Sequence, residues 1–227
     1  MSPSNQSCKC CDMTARLLKV DKSVLSQHSF LSPNDLCYYI HEYTAREGYA
    51  HSEANQLIHN LKISPNQAGR LRHKRSAIMT CISQLAGALR EGISKSVPNS
   101  YTISAIPPSK LESDQDYDDR MQQVAKGLAT HAGISYAELV SQSSPYTPSH
   151  STTSGNRMKP KDLKRLYSVT SRPPTSSVFI LDDVLVTGAH YTAYRDALLE
   201  SFPDLKIIGL FVARRAIQGS QERIVLG

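Results

Sequence analysis

Two adjacent carboxylates, Asp182 and Asp183, end an apolar run, and a Thr-Gly pair at 187–188 follows shortly afterwards. The run at 178–181 is continuous in Val, Phe, Ile and Leu, as in a strand buried on both faces of a parallel sheet. Ligands of open α/β sheets bind at the carboxyl ends of such strands. A Thr-Gly turn that opens a helix can direct amide groups and a hydroxyl toward an anion. The segment therefore predicts a sugar-phosphate site.

The order hydrophobic-Asp-Asp-x-x-x-Thr-Gly resembles the binding motif for phosphoribosyl diphosphate (PRPP) in type I phosphoribosyltransferases. The resemblance implies that Asp182 and Asp183 bind the ribose hydroxyls and hold a Mg²⁺ cofactor, directly or through water. It also implies a phosphate cradle formed by Val184, Leu185, Val186, Thr187, Gly188, Ala189 and His190. The alternative interpretation is an ordinary strand-turn-helix in which an Asp caps the helix.

The chain departs from the family pattern at two positions. Val186 stands where Thr is frequent, and His190 stands where Thr or Ser is usual. Hypoxanthine and guanine transferases of this class resemble one another in having an Asp at the position of Val186, as a candidate general base. An aliphatic side chain cannot move a proton, so a purine-salvage enzyme of that kind is disfavoured.

Two further elements of the family have candidates here. Ser109 and Lys110 follow the predicted first strand, where the resemblance implies a diphosphate-binding loop; a lysine can neutralise a phosphate without fixed geometry. The Ser/Thr-rich stretch at 141–165 has the place and composition of a closing lid, and Arg157 would contribute a cation from it. This arrangement resembles the ComF-type subgroup most. We also expect the acids at 114–119 to cap the helix that follows, and Arg120 and Asp119 to lean toward the site from its first turn.

The composition bounds the class of protein. The 227-residue chain has a formal net charge of +6, which favours anionic partners. It has no apolar stretch long enough for a membrane span and no signal-peptide pattern at the N-terminus, so we expect a cytoplasmic protein. The five cysteines are expected to be reduced thiols, because Cys8, Cys10 and Cys11 have no second ligand pair that would complete a zinc site.

The pattern of the elements changes near residue 100. Before it we predict three helices, over 32–48, 52–64 and 66–93, with no strand. After it we predict a strand at 101–106, a helix at 117–132, a short strand at 138–141, the motif strand, a helix at 191–202 and a strand at 206–213. The predicted fold is α/β, a central mainly parallel sheet flanked by helices and similar to type I phosphoribosyltransferases. Its domains would be a helical N-terminal segment, 1–99, and the phosphoribosyltransferase-like domain, 100–227.

The expected ligand is PRPP or a phosphoribosyl nucleotide, and the expected activity is phosphoribosyl transfer to an unidentified acceptor. Two other classes stay open. One is a nucleotide sensor that keeps the fold without the chemistry. The other is a nucleic-acid-associated effector of a bacterial defence cassette, suggested by a helix-turn-basic-helix pattern at 55–75 and less favoured because no supporting motif accompanies it. A homodimer stays open as well.

Overall fold

The computed structural model describes residues 15–92, 100–145 and 158–217. The strands are, in chain order, β1 (Leu18–Lys19), β2 (Cys37–Thr44), β3 (Tyr101–Ala105), β4 (Ser135–Tyr136), β5 (Val140–Gln142), β6 (Tyr167–Val169), β7 (Ser177–Leu185) and β8 (Lys206–Ala216). The α-helices are α1 (Lys22–Leu25), α2 (Glu53–Leu61), α3 (Leu71–Gly92), α4 (Arg120–Ala132), α5 (Pro160–Lys164) and α6 (Ala189–Ser201).

Six strands form one sheet in the order β1-β2-β8-β7-β3-β4. All neighbours from β2 to β4 are parallel, and only β1 is antiparallel. Strands β5 and β6 form a separate antiparallel pair. The prediction of an α/β fold with a mainly parallel sheet is confirmed.

Helices cover both faces of the sheet, and the side chains of β7 alternate between them. Phe179 and Leu181 pack on the face covered by α2, α3 and α4, which we call the α3 face. Val178 and Ile180 pack on the opposite face with α6, the α6 face. Burial on both faces explains why the run is apolar at every position rather than at every second one.

The helix predicted at 32–48 is wrong, because residues 37–44 form strand β2 in the sheet. Its register with β8 runs from Cys37 opposite Gly209 to Thr44 opposite Ala216. The strand contains three tyrosines, and aromatic side chains fit a pleated, buried surface well. The spacing of Leu36, Ile40 and Tyr43 suggested a helix, but a short apolar segment does not separate the two periods. The sheet thus contains a strand from the N-terminal segment that we expected to be helical.

The other predicted elements are present with shifted bounds. Helix α2 begins one residue after the predicted start, and Ser52 is its cap, since the Asn55 amide donates to the Ser52 hydroxyl at 3.1 Å. Helix α3 begins at Leu71 after a 3₁₀ turn at Ala68–Arg70, later than predicted. The short strand predicted at 138–141 overlaps β5, whereas β4 lies before it and was not predicted. Strand β8 is parallel to β7, as expected.

Two of the cysteines, Cys37 and Cys81, are described, and both are buried free thiols as predicted. Cys8, Cys10 and Cys11 lie outside the described residues. Among the helices of the described ranges, none has the length and apolar character that crossing a membrane requires.

Candidate functional site

The acidic pair lies near the carboxyl end of β7, where we expected it, and its two members differ in exposure. Asp182 is half-buried, whereas Asp183 is only 6% exposed. Asp183 contacts side chains from the α3 face, where helices α2 and α4 lie. Strand β3 ends beside the same part of β7, with Ala105 opposite Leu181. The loop that follows β3 therefore starts at the same edge of the sheet as the acidic pair.

Two cations occupy both oxygens of Asp183. Lys62, which follows α2, places its Nζ 3.2 Å from Oδ1. Arg120, the first residue of α4, donates from Nη2 to Oδ2 at 2.6 Å. The carboxylate that the family resemblance assigns to ribose binding is therefore held by the protein's own side chains in this structure.

The ion pairs continue behind Arg120. Its Nη1 lies 2.7 Å from Asp118 Oδ2, and the same oxygen accepts from Lys74 Nζ at 2.6 Å. The buried Lys74 ammonium also donates to the carbonyl groups of Leu61 and Ile63, at 3.3 and 2.7 Å. We call the five ionised side chains, Lys62, Lys74, Asp118, Arg120 and Asp183, the Asp183 network. It ties β7 to the end of α2 and to the first turns of α3 and α4.

The network separates the pKa values of the two adjacent acids. Burial alone would raise the pKa of Asp183, but the Lys62 ammonium and the Arg120 guanidinium hold it well below its usual value. Asp182 has its pKa raised, first by burial and then by the negative charge of Asp183. Its Oδ1 accepts the Asp183 amide at 2.8 Å, and it forms no ion pair with any described residue. Asp182 is the open carboxylate and Asp183 the fixed one.

The turn at 186–188 is contacted by residues 28–31, from the segment after α1. His28 is fully buried and its Nδ1–H donates to the Val186 carbonyl at 2.6 Å. The Phe30 amide donates to the Thr187 carbonyl at 2.9 Å. Gly188 has φ +85°, and a Cβ added there would lie 2.7 Å from Leu31 Cδ2. The space beside Gly188 is thus filled by Leu31.

The start of α6 keeps donors that the chain does not use. Gly188 caps the helix in the left-handed conformation, and the Ala189 amide makes a long bond of 3.4 Å to Thr187 Oγ1. Within the described ranges, neither the Thr187 amide nor the Gly188 amide donates to any acceptor. Unpaired amides beside a helix N-terminus are the groups that bind phosphate in such turns.

The remaining predicted site residues lie around this edge. Lys110 pairs with Asp114, four residues on, at 3.2 Å, and the Ser109 carbonyl accepts from Gln142 at 3.0 Å. The His190 ring lies 3.3 Å from the hydroxyl of Tyr167, on β6. Val184 and Leu185 are buried strand residues. Arg157 lies outside the described residues, as do the other residues of the predicted lid at 146–156.

The sequence predicted the position of Arg120, but not Lys62 or Lys74 of the Asp183 network. The prediction that Arg120 leans toward the acidic pair is confirmed by its contact with Asp183, whereas Asp119 accepts a hydrogen bond from Gln123. Lys74 carried a signal, because it shares a helix face with Ala77, Ile78 and Cys81, where an unpaired ammonium would be costly. Lys62 carried none, since a lysine after a helix is ordinary.

The side chains around Asp183 do not fit a magnesium ion bound to that residue. Mg²⁺ requires oxygen ligands in near-octahedral geometry, whereas both Asp183 oxygens face cations. No group of three or more His, Cys, Asp or Glu side chains within the described ranges is arranged to hold a metal. Magnesium on Asp182, or carried by a bound diphosphate, stays a prediction.

The predicted basic helix is partly buried. Lys74 points into the network, while Arg70, Arg72 and Arg75 are exposed at the start of α3. Residues 62–70 separate α2 from α3 and include a 3₁₀ turn. Nucleic acid stays a less favoured prediction as a partner.

A cavity of about 190 Å³ lies between the first turns of α3 and α4, lined by Lys74, Tyr117 and Asp118 among others. Neither Asp182 nor the 187–190 turn lines it.

No protein-family model matches this chain, and no curated protein matches it either.

Proposed function

We propose that the chain binds PRPP or a related ribose 5-phosphate ligand at the carboxyl edge of β7 and transfers the phosphoribosyl group to an acceptor. One observation carries the proposal. A partly buried carboxylate without an ion-pair partner among the described residues, Asp182, precedes a left-handed glycine turn whose amides at 187 and 188 are unpaired there. A type I phosphoribosyltransferase fold, suggested by the motif and compatible with the parallel sheet, belongs to the same proposal.

In the proposed complex the amides of Thr187 and Gly188 bind the 5′-phosphate at the N-terminus of α6, where the helix dipole favours negative charge. Asp182 accepts hydrogen bonds from the ribose hydroxyls. This differs from the assignment of both acids to the ribose, because Asp183 already has two cationic partners. Asp183 then acts as the anchor that fixes Lys62 and Arg120 next to Asp182.

In the transfer step the bond between C1 of the ribose and the diphosphate oxygen breaks, and the acceptor forms the new bond to C1. Positive charge grows on the ribose ring, and the Asp182 carboxylate beside it stabilises that charge. The electron pair leaves with the diphosphate, and in this proposal Lys110 exchanges Asp114 for the departing diphosphate. Their pairing is exposed enough to exchange partners at little cost.

Calorimetric titration with PRPP and magnesium tests the proposal. Wild-type protein should bind PRPP, and Asp182→Asn should weaken binding about tenfold or more, the loss of one charge-assisted hydrogen bond. Asp204→Asn is the matched control, because Asp204 is an exposed acid in the turn before β8. Absence of PRPP binding by folded wild-type protein would reject the proposal.

A nucleotide sensor without turnover is the second candidate. The pairing of both Asp183 oxygens with Lys62 and Arg120 favours it. A phosphoribosyltransferase that used both acids would have to break two ion pairs before each turnover. The aliphatic side chain of Val186 cannot act as a general base either. Incubation of the protein with PRPP and a mixture of nucleobases separates the two candidates: diphosphate release indicates a transferase, and tight binding without release indicates a sensor.

A further inference from the structure

The Asp183 network places two fixed positive charges where the family resemblance expects a divalent cation. Lys62 and Arg120 both contact Asp183, and Asp183 follows the open carboxylate Asp182 directly. With Lys74 and Asp118, the network contains three cations and two carboxylates. Asp182 is the third carboxylate of the region, so the numbers of positive and negative groups are equal. Asp183 is thereby neutralised by side chains.

Lys62 has the exposure that a ligand contact requires. Its side chain is 32% exposed, compared with 8% for its partner Asp183. An ammonium group has three donors, and the contact with Asp183 uses one of them. Arg120 is less exposed, at 21%, and is bound to Asp118 as well as to Asp183. Lys62 is therefore the cation that can reach a ligand without leaving the network.

The network also opposes metal binding on electrostatic grounds. A divalent cation on Asp183 would lie within a few ångströms of an ammonium and a guanidinium, and would have to displace both from its ligand oxygens. Side-chain cations do not leave with the product, and they need no octahedral oxygen shell.

Resting on the proposed function, we infer that Lys62 and Arg120 supply the positive charge of the site in place of a divalent cation. The Asp182 edge then binds a ribose 5-phosphate ligand without Mg²⁺, and Lys62 contacts that ligand. Lys62 follows helix α2, so a residue from the N-terminal third of the chain becomes part of the site.

The experiment is calorimetric titration with ribose 5-phosphate, a probe without a diphosphate that would itself chelate magnesium. It is carried out once in EDTA and once in MgCl₂. We expect the dissociation constants of the wild-type protein in the two buffers to agree within about twofold. In EDTA, Lys62→Met should bind ribose 5-phosphate at least about tenfold more weakly than wild type. The control is Lys206→Met, because Lys206 is an exposed lysine at the opposite edge of the sheet. This variant should bind ribose 5-phosphate like wild type.

Each contrary outcome has a separate meaning. Binding by wild type only in MgCl₂, or unchanged binding by Lys62→Met, overturns the inference and leaves the proposed ligand class intact. No binding in either buffer overturns the inference together with the proposed function. The comparison of the two buffers needs wild-type protein alone, so it decides the matter even if Lys62→Met fails to fold.

Discussion

At one end of the 182–190 segment, Asp183 is held by charged groups that come from helices on the α3 face. At the other end, Val186, Thr187 and Gly188 are held by a neutral imidazole, a backbone amide and an apolar contact from residues 28–31. Charged contacts in a buried place are lost at a high cost when one partner is removed, whereas neutral ones fail more gradually. The two ends should therefore respond differently to substitution and to pH.

The largest expected effect is at the charged end. Asp183→Asn removes the counter-charge of Lys62 and one of the two carboxylates that Arg120 contacts, and it should lower the free energy of unfolding by about 3–5 kcal/mol. Asp182→Asn is the matched control. It removes a carboxylate whose pKa is raised by burial and by Asp183, so stability should stay within about 1 kcal/mol of wild type or rise. Urea denaturation of both variants measures this, and equal losses would contradict the contrast between the two acids.

The neutral end is best tested at its glycine. Gly188→Ala adds a methyl group 2.7 Å from Leu31 Cδ2 at a left-handed position. Gly133→Ala is the control, since Gly133 has φ +66° and no heavy atom within 4 Å of an added Cβ. Both variants bear the backbone strain, so the expected additional loss of about 1–3 kcal/mol at Gly188 isolates the contact with residues 28–31. Equal melting curves for the two variants would show that Leu31 moves away freely.

The two ends should also differ in their response to acid. Burial lowers the pKa of His28, the Val186 carbonyl opposes this, and the charge of Arg214 lowers it further. Below the ordinary value of 6.5 the unfolded chain binds a proton that the folded chain does not, so the contribution of His28 to stability falls as the pH falls.

The stability advantage of wild type over His28→Gln should therefore shrink between pH 7.5 and pH 5.5, measured by urea denaturation at each pH. The control is His51→Gln, because His51 is exposed and should show no such change. An advantage that grows toward pH 5.5 would mean that His28 is charged in the folded protein.

The smallest expected effect is at Lys110, whose ion pair with Asp114 is partly exposed. Lys110→Ala should change the free energy of unfolding by no more than about 0.5 kcal/mol. If Lys110 meets the diphosphate, the same variant should bind PRPP more weakly while binding ribose 5-phosphate like wild type. A parallel loss for both ligands would place the role of Lys110 at the sugar phosphate instead.

The sequence predicted the parts of the fold that local pattern determines. Strand β7 is apolar at successive positions because both of its faces are covered, and this signal is independent of the rest of the chain. Helix α3 is long enough for its apolar stripe to be distinct. Strand β2 was missed because its identity depends on pairing with β8, far away in the sequence.

The site was predictable in its residues but not in its electrostatics. The order Asp-Asp-x-x-x-Thr-Gly identified the edge of the sheet, and the acidic run before α4 pointed to Arg120. Nothing local indicates that Lys62 reaches Asp183, since that contact depends on where α2 ends relative to β7. The difference between an open and a fixed carboxylate is a property of the packed molecule.

The position of β2 has a consequence for synthesis of the protein. Residues 37–44 leave the ribosome well before their parallel partner β8, which extends to Ala216. The nascent chain must carry an aromatic strand with an unpaired hydrogen-bonding edge until that partner emerges, a state in which intermolecular association competes with folding. A chaperone that binds the nascent chain at the exit of the ribosomal tunnel, or faster translation of the residues up to β8, should therefore raise the yield of native protein.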